Sequence, residues 1–131
     1  HLCEVYCQLK HSASKDIVKA FKRESPSAVP RVRLEENGAI SFSLHCQHCD
    51  EAPCVNACLT GALTRDLGSG IIEVDNARCI GCWTCILVCP FGVIKQDTEK
   101  EKMVKCDLCQ GENIPACVVN CPNEALVYAN V

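Results

Sequence analysis

The sequence predicts a small α+β fold built from tandem units of short strands, short helices and cysteine-rich loops, related by a pseudo-two-fold axis. The chain has 131 residues, of which 14 are Cys, and the cysteines recur in groups of similar spacing. Short apolar runs of strand length flank these groups, which is typical of an internal repeat. With only three Phe, two Tyr and one Trp for a core, bound metal is expected to contribute to folding.

The cysteines form four groups along the chain. The third group is C-x2-C-x2-C-x3-C-P, the complete run found in bacterial ferredoxins. Groups two and four have longer gaps, and group one shows only the last two cysteines of such a run. In order, the groups are Cys3 and Cys7; Cys46, Cys49, Cys54 and Cys58; Cys79, Cys82, Cys85 and Cys89; and Cys106, Cys109, Cys117 and Cys121.

This spacing suits a cubane iron–sulfur cluster, in which each of four irons needs one thiolate. Three closely spaced cysteines can wrap one cluster, while the fourth follows at the start of a helix and points toward a neighbouring cluster. Zinc sites prefer two separated C-x-x-C pairs. Disulfide geometry disfavours bridges among thiols in such short loops. The pattern therefore favours iron–sulfur clusters over zinc or disulfides.

The segments between the groups carry local signals for regular structure. Residues 14–24 predict a short amphipathic helix whose apolar stripe, formed by Ile17, Val18 and Phe21, is expected to face the core. Alternating residues around Asn37-Gly38 predict a β-hairpin from 31–35 and 39–44. A second hairpin is predicted from 62–65 and 71–74, with further strands at 93–95, 103–105 and 125–128.

With these motifs in hand, the chain resembles the four-cluster iron–sulfur subunits of redox enzymes. These include the electron-transfer subunits of formate dehydrogenase and dimethyl sulfoxide reductase, the ferredoxin-like partner of carbon monoxide dehydrogenase and the small subunits of tungsten aldehyde oxidoreductases. The resemblance implies tandem ferredoxin-like units, an outer one at 1–44 with 100–131 and an inner one at 45–99. It also implies that each unit binds two clusters.

The resemblance further implies four ligand sets, all holding [4Fe–4S] clusters. They are Cys46, Cys49, Cys54 and Cys89; Cys79, Cys82, Cys85 and Cys58; Cys106, Cys109, Cys117 and Cys7; and Cys3 with Cys121. The last set needs two more cysteines, which we expect just upstream of His1. Three clusters are therefore complete from this sequence, and a fourth is complete if those two cysteines exist.

Four residues beside the cysteines are candidates for contact with a cofactor. Trp83 lies inside the third loop and either shields a cluster from water or packs as an ordinary aromatic side chain. Gly81 fits a loop that needs unusual backbone angles close to a cluster. His45 and His48 flank Cys46, and roles outside the ligand set are favoured because the thiolate count is already complete.

The predicted function is a one-electron relay without catalytic residues of its own, so the chain is not expected to be an enzyme. A catalytic redox subunit with a molybdenum, tungsten or nickel–iron site is the expected partner, with a second electron carrier or flavoprotein beyond it. A free-standing polyferredoxin shuttle and a zinc-stabilised interaction module are the alternatives. Free thiols favour a cytoplasmic setting, and export in folded form stays open.

Charge and hydropathy exclude two other partner classes. Seven basic residues lie between Lys10 and Arg33 against two acidic ones, which indicates a solvated face or a docking surface. Phe21 is the one aromatic residue between them, so the aromatic interleaving that accompanies a nucleic-acid interface is not present. No apolar run reaches the length of a transmembrane helix.

Overall fold

The computed structural model describes residues 1–129 and contains short helices and antiparallel hairpins. Its elements in chain order are α1 (Leu2–His11), α2 (Ile17–Lys22), β1 (Arg33–Asn37), β2 (Ile40–Leu44), α3 (Pro53–Asn56), β3 (Leu63–Arg65), β4 (Ile72–Val74), α4 (Thr84–Val88), β5 (Lys95–Asp97), β6 (Lys102–Val104) and α5 (Ala116–Val119). The strands pair as three two-stranded hairpins, β1–β2, β3–β4 and β5–β6. The predicted mixture of short helices and short strands is confirmed.

The chain divides into two compact units. Unit 1 combines His1–Leu44 with the C-terminal segment that starts at Leu108, and unit 2 is His45–Asp107. Unit 2 is therefore inserted between the two parts of unit 1.

In unit 1, the ten-residue helix α1 packs against the short helix α5. Cys3 and Cys7 are four residues apart and share one face of α1, where both are buried together with Val32. The backbone N–H of Leu34 donates to Glu4 Oε1 at 2.9 Å, which ties α1 to the start of the β1–β2 hairpin.

The predicted hairpin in unit 1 is confirmed, with its turn one residue later than expected. Asn37 pairs with Ile40 as the last residues of β1 and β2, so Gly38 and Ala39 form the turn. Gly38 has φ +62°, a conformation that glycine adopts without the steric cost that other residues pay.

The helix predicted at 14–24 forms as α2, but the prediction that its apolar stripe faces the core is wrong. Asp16 caps the helix by accepting a hydrogen bond from the Lys19 N–H at 2.9 Å. The exposed fractions of Ile17, Val18 and Phe21 are 50%, 54% and 44%. Ala20 is the buried residue of this helix.

Unit 2 contains the hairpins β3–β4 and β5–β6 and two short helices, α3 and α4, which pack against each other. The first hairpin matches its prediction, since Leu63 pairs with Val74 and Arg65 with Ile72. Asp66 stabilises its turn by accepting from the Ser69 N–H at 2.7 Å. The strands predicted at 93–95 and 103–105 form nearby as β5 and β6.

The core of unit 2 mixes a few aliphatic side chains with cysteines. Its buried members are Ala52, Cys54, Leu63, Ile72, Cys85, Ile94 and Met103. Ile72 is the one large side chain with under 2% exposure in the described part of the chain. Such a core contains few large aliphatic side chains, so metal binding is expected to add to its stability.

The prediction of a strand at 125–128 is wrong, because residues 125–129 form no regular element. Val127 and Tyr128 are 81% and 42% exposed. A strand needs a hydrogen-bonded neighbour, and β1 and β2 pair only with each other.

Candidate functional site

Four cysteines from two different groups line one cavity of unit 2, here named the Cys79 cavity. They are Cys58, Cys79, Cys82 and Cys85. The cavity is also lined by Gly81 and Trp83 and closed by apolar side chains such as Leu63 and Met103. This set of cysteines is the one that the family resemblance implied for a single cluster.

A second cavity of unit 2, named the Cys46 cavity, is lined by four other cysteines. They are Cys46, Cys49, Cys54 and Cys89. Its remaining wall includes Ile72, Phe91 and Ile94. Here too the structure brings together the set implied by the resemblance, and the role of these thiols as ligands stays a prediction.

Each of the two cysteine groups in unit 2 contributes to both cavities, because of the helices α3 and α4. Cys54 lies in α3 and faces the Cys46 cavity, whereas Cys58 follows the helix and lines the Cys79 cavity. Cys85 lies in α4 and lines the Cys79 cavity, whereas Cys89 caps the C-terminus of α4 and lines the Cys46 cavity. One helical turn thus carries the fourth cysteine of each group to the neighbouring cavity.

The loop that carries Cys79 and Cys82 has a backbone that few side chains allow. Gly81 has φ +68°, and a Cβ added there would lie 2.5 Å from the carbonyl oxygen of Glu101. Trp83, which precedes α4, has φ +62°, a conformation that costs a non-glycine residue energy. Lys102 braces the same loop by donating a hydrogen bond from Nζ to the carbonyl oxygen of Cys79.

The pKa values of the thiols vary with position around the Cys79 cavity. Burial, and then the charges of Cys79 and Cys82, raises the pKa of Cys85 to about 11. The Thr84 hydroxyl, which donates to Cys82 Sγ at 3.5 Å, lowers the pKa of the exposed Cys82 thiol. Because neighbouring thiolates repel each other and metal ligation requires the thiolate form, a cation bound among these thiols would offset the repulsion.

In unit 1, three cysteines approach one another between α1 and α5. Burial, and then the charges of Cys7 and Cys109, raises the pKa of Cys117 to about 11. Burial acts to raise the pKa of Cys7, but hydrogen bonds from His11 and the Arg31 N–H lower it overall; the Arg31 N–H lies 3.2 Å from Cys7 Sγ. Cys106, the fourth member of the implied set, belongs to unit 2.

The last two cysteines, Cys3 and Cys121, line a wider cavity of unit 1. Its volume is about 370 Å³, and its wall includes His1, Leu34 and Phe42. Burial raises the pKa of Cys3, whereas backbone N–H groups, that of Leu126 first, lower the pKa of Cys121. Two thiols reach this cavity from the described residues, against four in each cavity of unit 2.

Two polar side chains lie against the Ile72 peptide beside the Cys46 cavity: His48, for which the sequence favoured a role outside the ligand set, and Lys105, for which it predicted no role at a site. Lys105 is buried and donates from Nζ to the carbonyl oxygens of Ile72 and Cys106. The Ile72 N–H donates to His48 Nδ1 at 2.9 Å. Burial, and then the charge of Lys105, lowers the pKa of His48 to about 4, so its imidazole is neutral at pH 7.

A third polar residue, Arg65, supports the loop between Cys46 and Cys54. Its Nη1 donates to the carbonyl oxygen of Cys49 at 2.6 Å, and its Nη2 pairs with Asp50 at 2.5 Å. Arg65 ends β3, so the β3–β4 hairpin holds this loop in place. Its only sequence signal was a basic residue at a strand end, which is common on protein surfaces.

The donor chemistry of both cavities in unit 2 fits an iron–sulfur cluster. All fourteen cysteines are free thiols, and each cavity presents four of them without a competing carboxylate or imidazole in its lining. Four sulfur donors select zinc or iron–sulfur clusters among biological metals. The fold and this site define a class: small proteins that hold iron–sulfur clusters in cysteine loops.

Comparison with known proteins identifies the family within that class. The 4Fe-4S dicluster domain family matches residues 38–131, and the chain belongs to this family. Electron transport protein HydN of Escherichia coli strain K12 is 35% identical over 141 residues, covering 95% of this chain and 78% of HydN. Protein NrfC of the same strain is 44% identical over 119 residues, covering 82% of this chain and 53% of NrfC.

Within residues 1–129, no helix is both long enough and apolar enough to cross a membrane.

Proposed function

We propose that this chain is an electron-transfer subunit that carries single electrons through a chain of [4Fe–4S] clusters. The observation that carries the proposal is the presence of two cavities in one unit, each lined by four cysteines drawn from two sequence groups. The name of the relative HydN, an electron transport protein, supports the same role. A bound [4Fe–4S] cluster supplies one-electron oxidation and reduction.

The residues that would hold these clusters follow from the two cavities and the cysteine groups. In unit 2 they are Cys46, Cys49, Cys54 and Cys89 for one cluster, and Cys58, Cys79, Cys82 and Cys85 for the other. Cys7, Cys109 and Cys117 with Cys106 would hold a third. Cys3 and Cys121, which line the wider cavity of unit 1, would contribute ligands to a fourth.

The other residues of the sites bind, position and exclude water. Lys102 and Arg65 hold the loop backbone at Cys79 and Cys49. Apolar walls, including Trp83 in one cavity and Phe91 in the other, would limit water near the clusters, which is one means of setting a potential. Repeating this arrangement in two ferredoxin-like units with pseudo-two-fold symmetry would give a path for electrons along the chain.

Such a relay needs a redox partner at each end. We propose a catalytic subunit with a molybdenum, tungsten or nickel–iron site on one side and a second electron carrier or flavoprotein on the other. Cytoplasmic reducing conditions would keep the fourteen thiols available for cluster assembly.

Anaerobic purification of the protein with its natural partners tests this proposal. The expected sample is brown, carries about four irons per cluster, is reduced by dithionite in one-electron steps and co-purifies with a larger redox subunit. A colourless, zinc-loaded sample would contradict the electron-transfer role. A brown monomer that exchanges electrons with several enzymes would instead support a free-standing shuttle.

A further inference from the structure

Lys105 occupies an unusual position for a lysine. It is 2% exposed, although lysine is almost never fully buried unless its charge is compensated. Its Nζ donates to the carbonyl oxygen of Cys106 at 2.9 Å and to that of Ile72. Both acceptors are neutral carbonyl groups, so these hydrogen bonds hold the ammonium in place without cancelling its charge.

Ile72, whose carbonyl oxygen accepts a hydrogen bond from this ammonium, forms part of the wall of the Cys46 cavity. Ile72 is 1% exposed, lines that cavity and lies in β4, where Arg65 is its strand partner. The backbone N–H of Ile72 donates a hydrogen bond to His48 Nδ1 at 2.9 Å. An imidazole that accepts at Nδ1 is the neutral tautomer, so His48 fills the adjacent space without adding a charge.

Burial lowers the pKa of Lys105, and the charges of Cys46, Cys106, Cys54 and Asp107 oppose this effect by favouring the ammonium form. Of these groups, Cys46 and Cys54 line the Cys46 cavity. In a buried site of low effective dielectric constant, such interactions act over longer distances and with less screening than at the surface. Asp107 is the carboxylate of this group, and it offsets part of the lysine charge.

We propose that Lys105 is a positioning residue that raises the reduction potential of the cluster held in the Cys46 cavity. Reduction adds one electron, taken from the external reductant, and makes the four-thiolate cluster more negative by one charge. A fixed ammonium behind the cavity wall stabilises the reduced state more than the oxidised state. No such buried cation lies against the Cys79 cavity within residues 1–129, since Lys102 is only partly buried.

This inference rests on the proposed function, because it needs a cluster in the Cys46 cavity. The test is an EPR-monitored redox titration of the purified, cluster-loaded protein. Cys89→Ser and Cys79→Ser first assign one EPR signal to each cavity of unit 2. The signal of the Cys46 cavity is then compared among the wild type, Lys105→Gln, Lys105→Met and Lys105→Arg.

Loss of the charge should lower the equilibrium constant for reduction of that cluster by about tenfold, which is 59 mV for a one-electron couple. Lys105→Gln keeps a hydrogen-bond donor and Lys105→Met keeps most of the apolar stem, so agreement between them isolates the charge. Lys105→Arg keeps the charge and should restore most of the wild-type potential. The signal of the Cys79 cavity should move less in every variant.

Lys100→Gln is the matched control, because it removes the same charge from the turn of the β5–β6 hairpin, which ends just before Lys105. The Lys100 side chain is 67% exposed, so solvent screens it and the potential should stay at the wild-type value. If the iron content is intact and the potential is unchanged in both Lys105→Gln and Lys105→Met, the inference is overturned, but the proposed function is not. Iron uptake by Lys105→Arg but by neither neutral variant would also overturn it, because the lysine would then serve cluster assembly. A wild type without iron would overturn the proposed function itself.

Discussion

A Cβ added at Gly81 would lie 2.5 Å from the carbonyl oxygen of Glu101. Glu101 immediately precedes β6, so the turn between β5 and β6 closely approaches the loop that carries Cys79 and Cys82. The partner at this contact is backbone rather than a flexible side chain, and the loop can accommodate a larger residue only if one of the two segments moves.

Gly81→Ala is therefore expected to impair assembly at the Cys79 cavity. The φ of +68° costs an alanine roughly 1–2 kcal/mol, and the steric clash adds to that cost. The iron content should fall by about four per protein, one cluster's worth, as measured by iron analysis and EPR. Gly38→Ala is the control, because Gly38 has φ +62° with nothing within 4 Å; equal iron content in the two variants would contradict the prediction.

Replacing individual cysteines should group them by cavity and not by sequence neighbourhood. Cys58→Ser is expected to alter the same EPR signal as Cys85→Ser, and Cys54→Ser the same signal as Cys89→Ser, because these pairs share a cavity. The measurement is EPR of each dithionite-reduced variant. If Cys54→Ser and Cys58→Ser instead affect one common signal, the exchange of cysteines between the cavities is refuted.

Removal of the clusters should unfold unit 2. Its core contains cysteines and few large side chains, so metal binding is expected to supply much of its folding free energy. Chelation under anaerobic conditions should abolish cooperative unfolding monitored by circular dichroism. Reconstitution with iron and sulfide should restore it, whereas an apoprotein that still unfolds cooperatively would show that the aliphatic core suffices.

The Asp16 cap should control the local stability of α2. Its carboxylate accepts from the Lys19 N–H at 2.9 Å, and loss of such a cap costs about 1 kcal/mol. In Asp16→Ala, amide hydrogen exchange of Ala20, whose N–H bonds to the Asp16 carbonyl oxygen, should accelerate about fivefold. Asp16→Asn keeps an acceptor and should change exchange less; equal rates in both variants would argue against the cap.

Local patterns predicted the hairpins better than the other elements. The alternation of β1 and β2, and the turn residues between β3 and β4, act between neighbours in sequence, so both hairpins form close to their expected positions. The strand expected at 125–128 had suitable residues but no partner strand. The burial expected for Ile17, Val18 and Phe21 failed for a similar reason, because nothing in the helix itself determines what packs against it.

The helix α1 was not predicted, although the sequence contains a signal for it. Cys3 and Cys7 are spaced four residues apart, which places both on one face of a helix, and both are buried. The same spacing also fits the end of a metal-binding run, so it does not by itself predict a helix. The polar residues at the Ile72 peptide gave a weaker signal, because Lys105 and His48 each look like surface residues when their neighbours in sequence are considered alone.

The sequence by itself determined the chemistry of this protein. Fourteen thiols at characteristic spacings specify sulfur ligation, since ligand type and loop length are local properties of the chain. The family resemblance also implied which cysteines share a cavity in unit 2, whereas only the tertiary structure decided that Lys105 is buried against Ile72, 33 residues away along the chain. Burial and the electric field at a site depend on contacts between distant segments, and these exist only once the chain has folded.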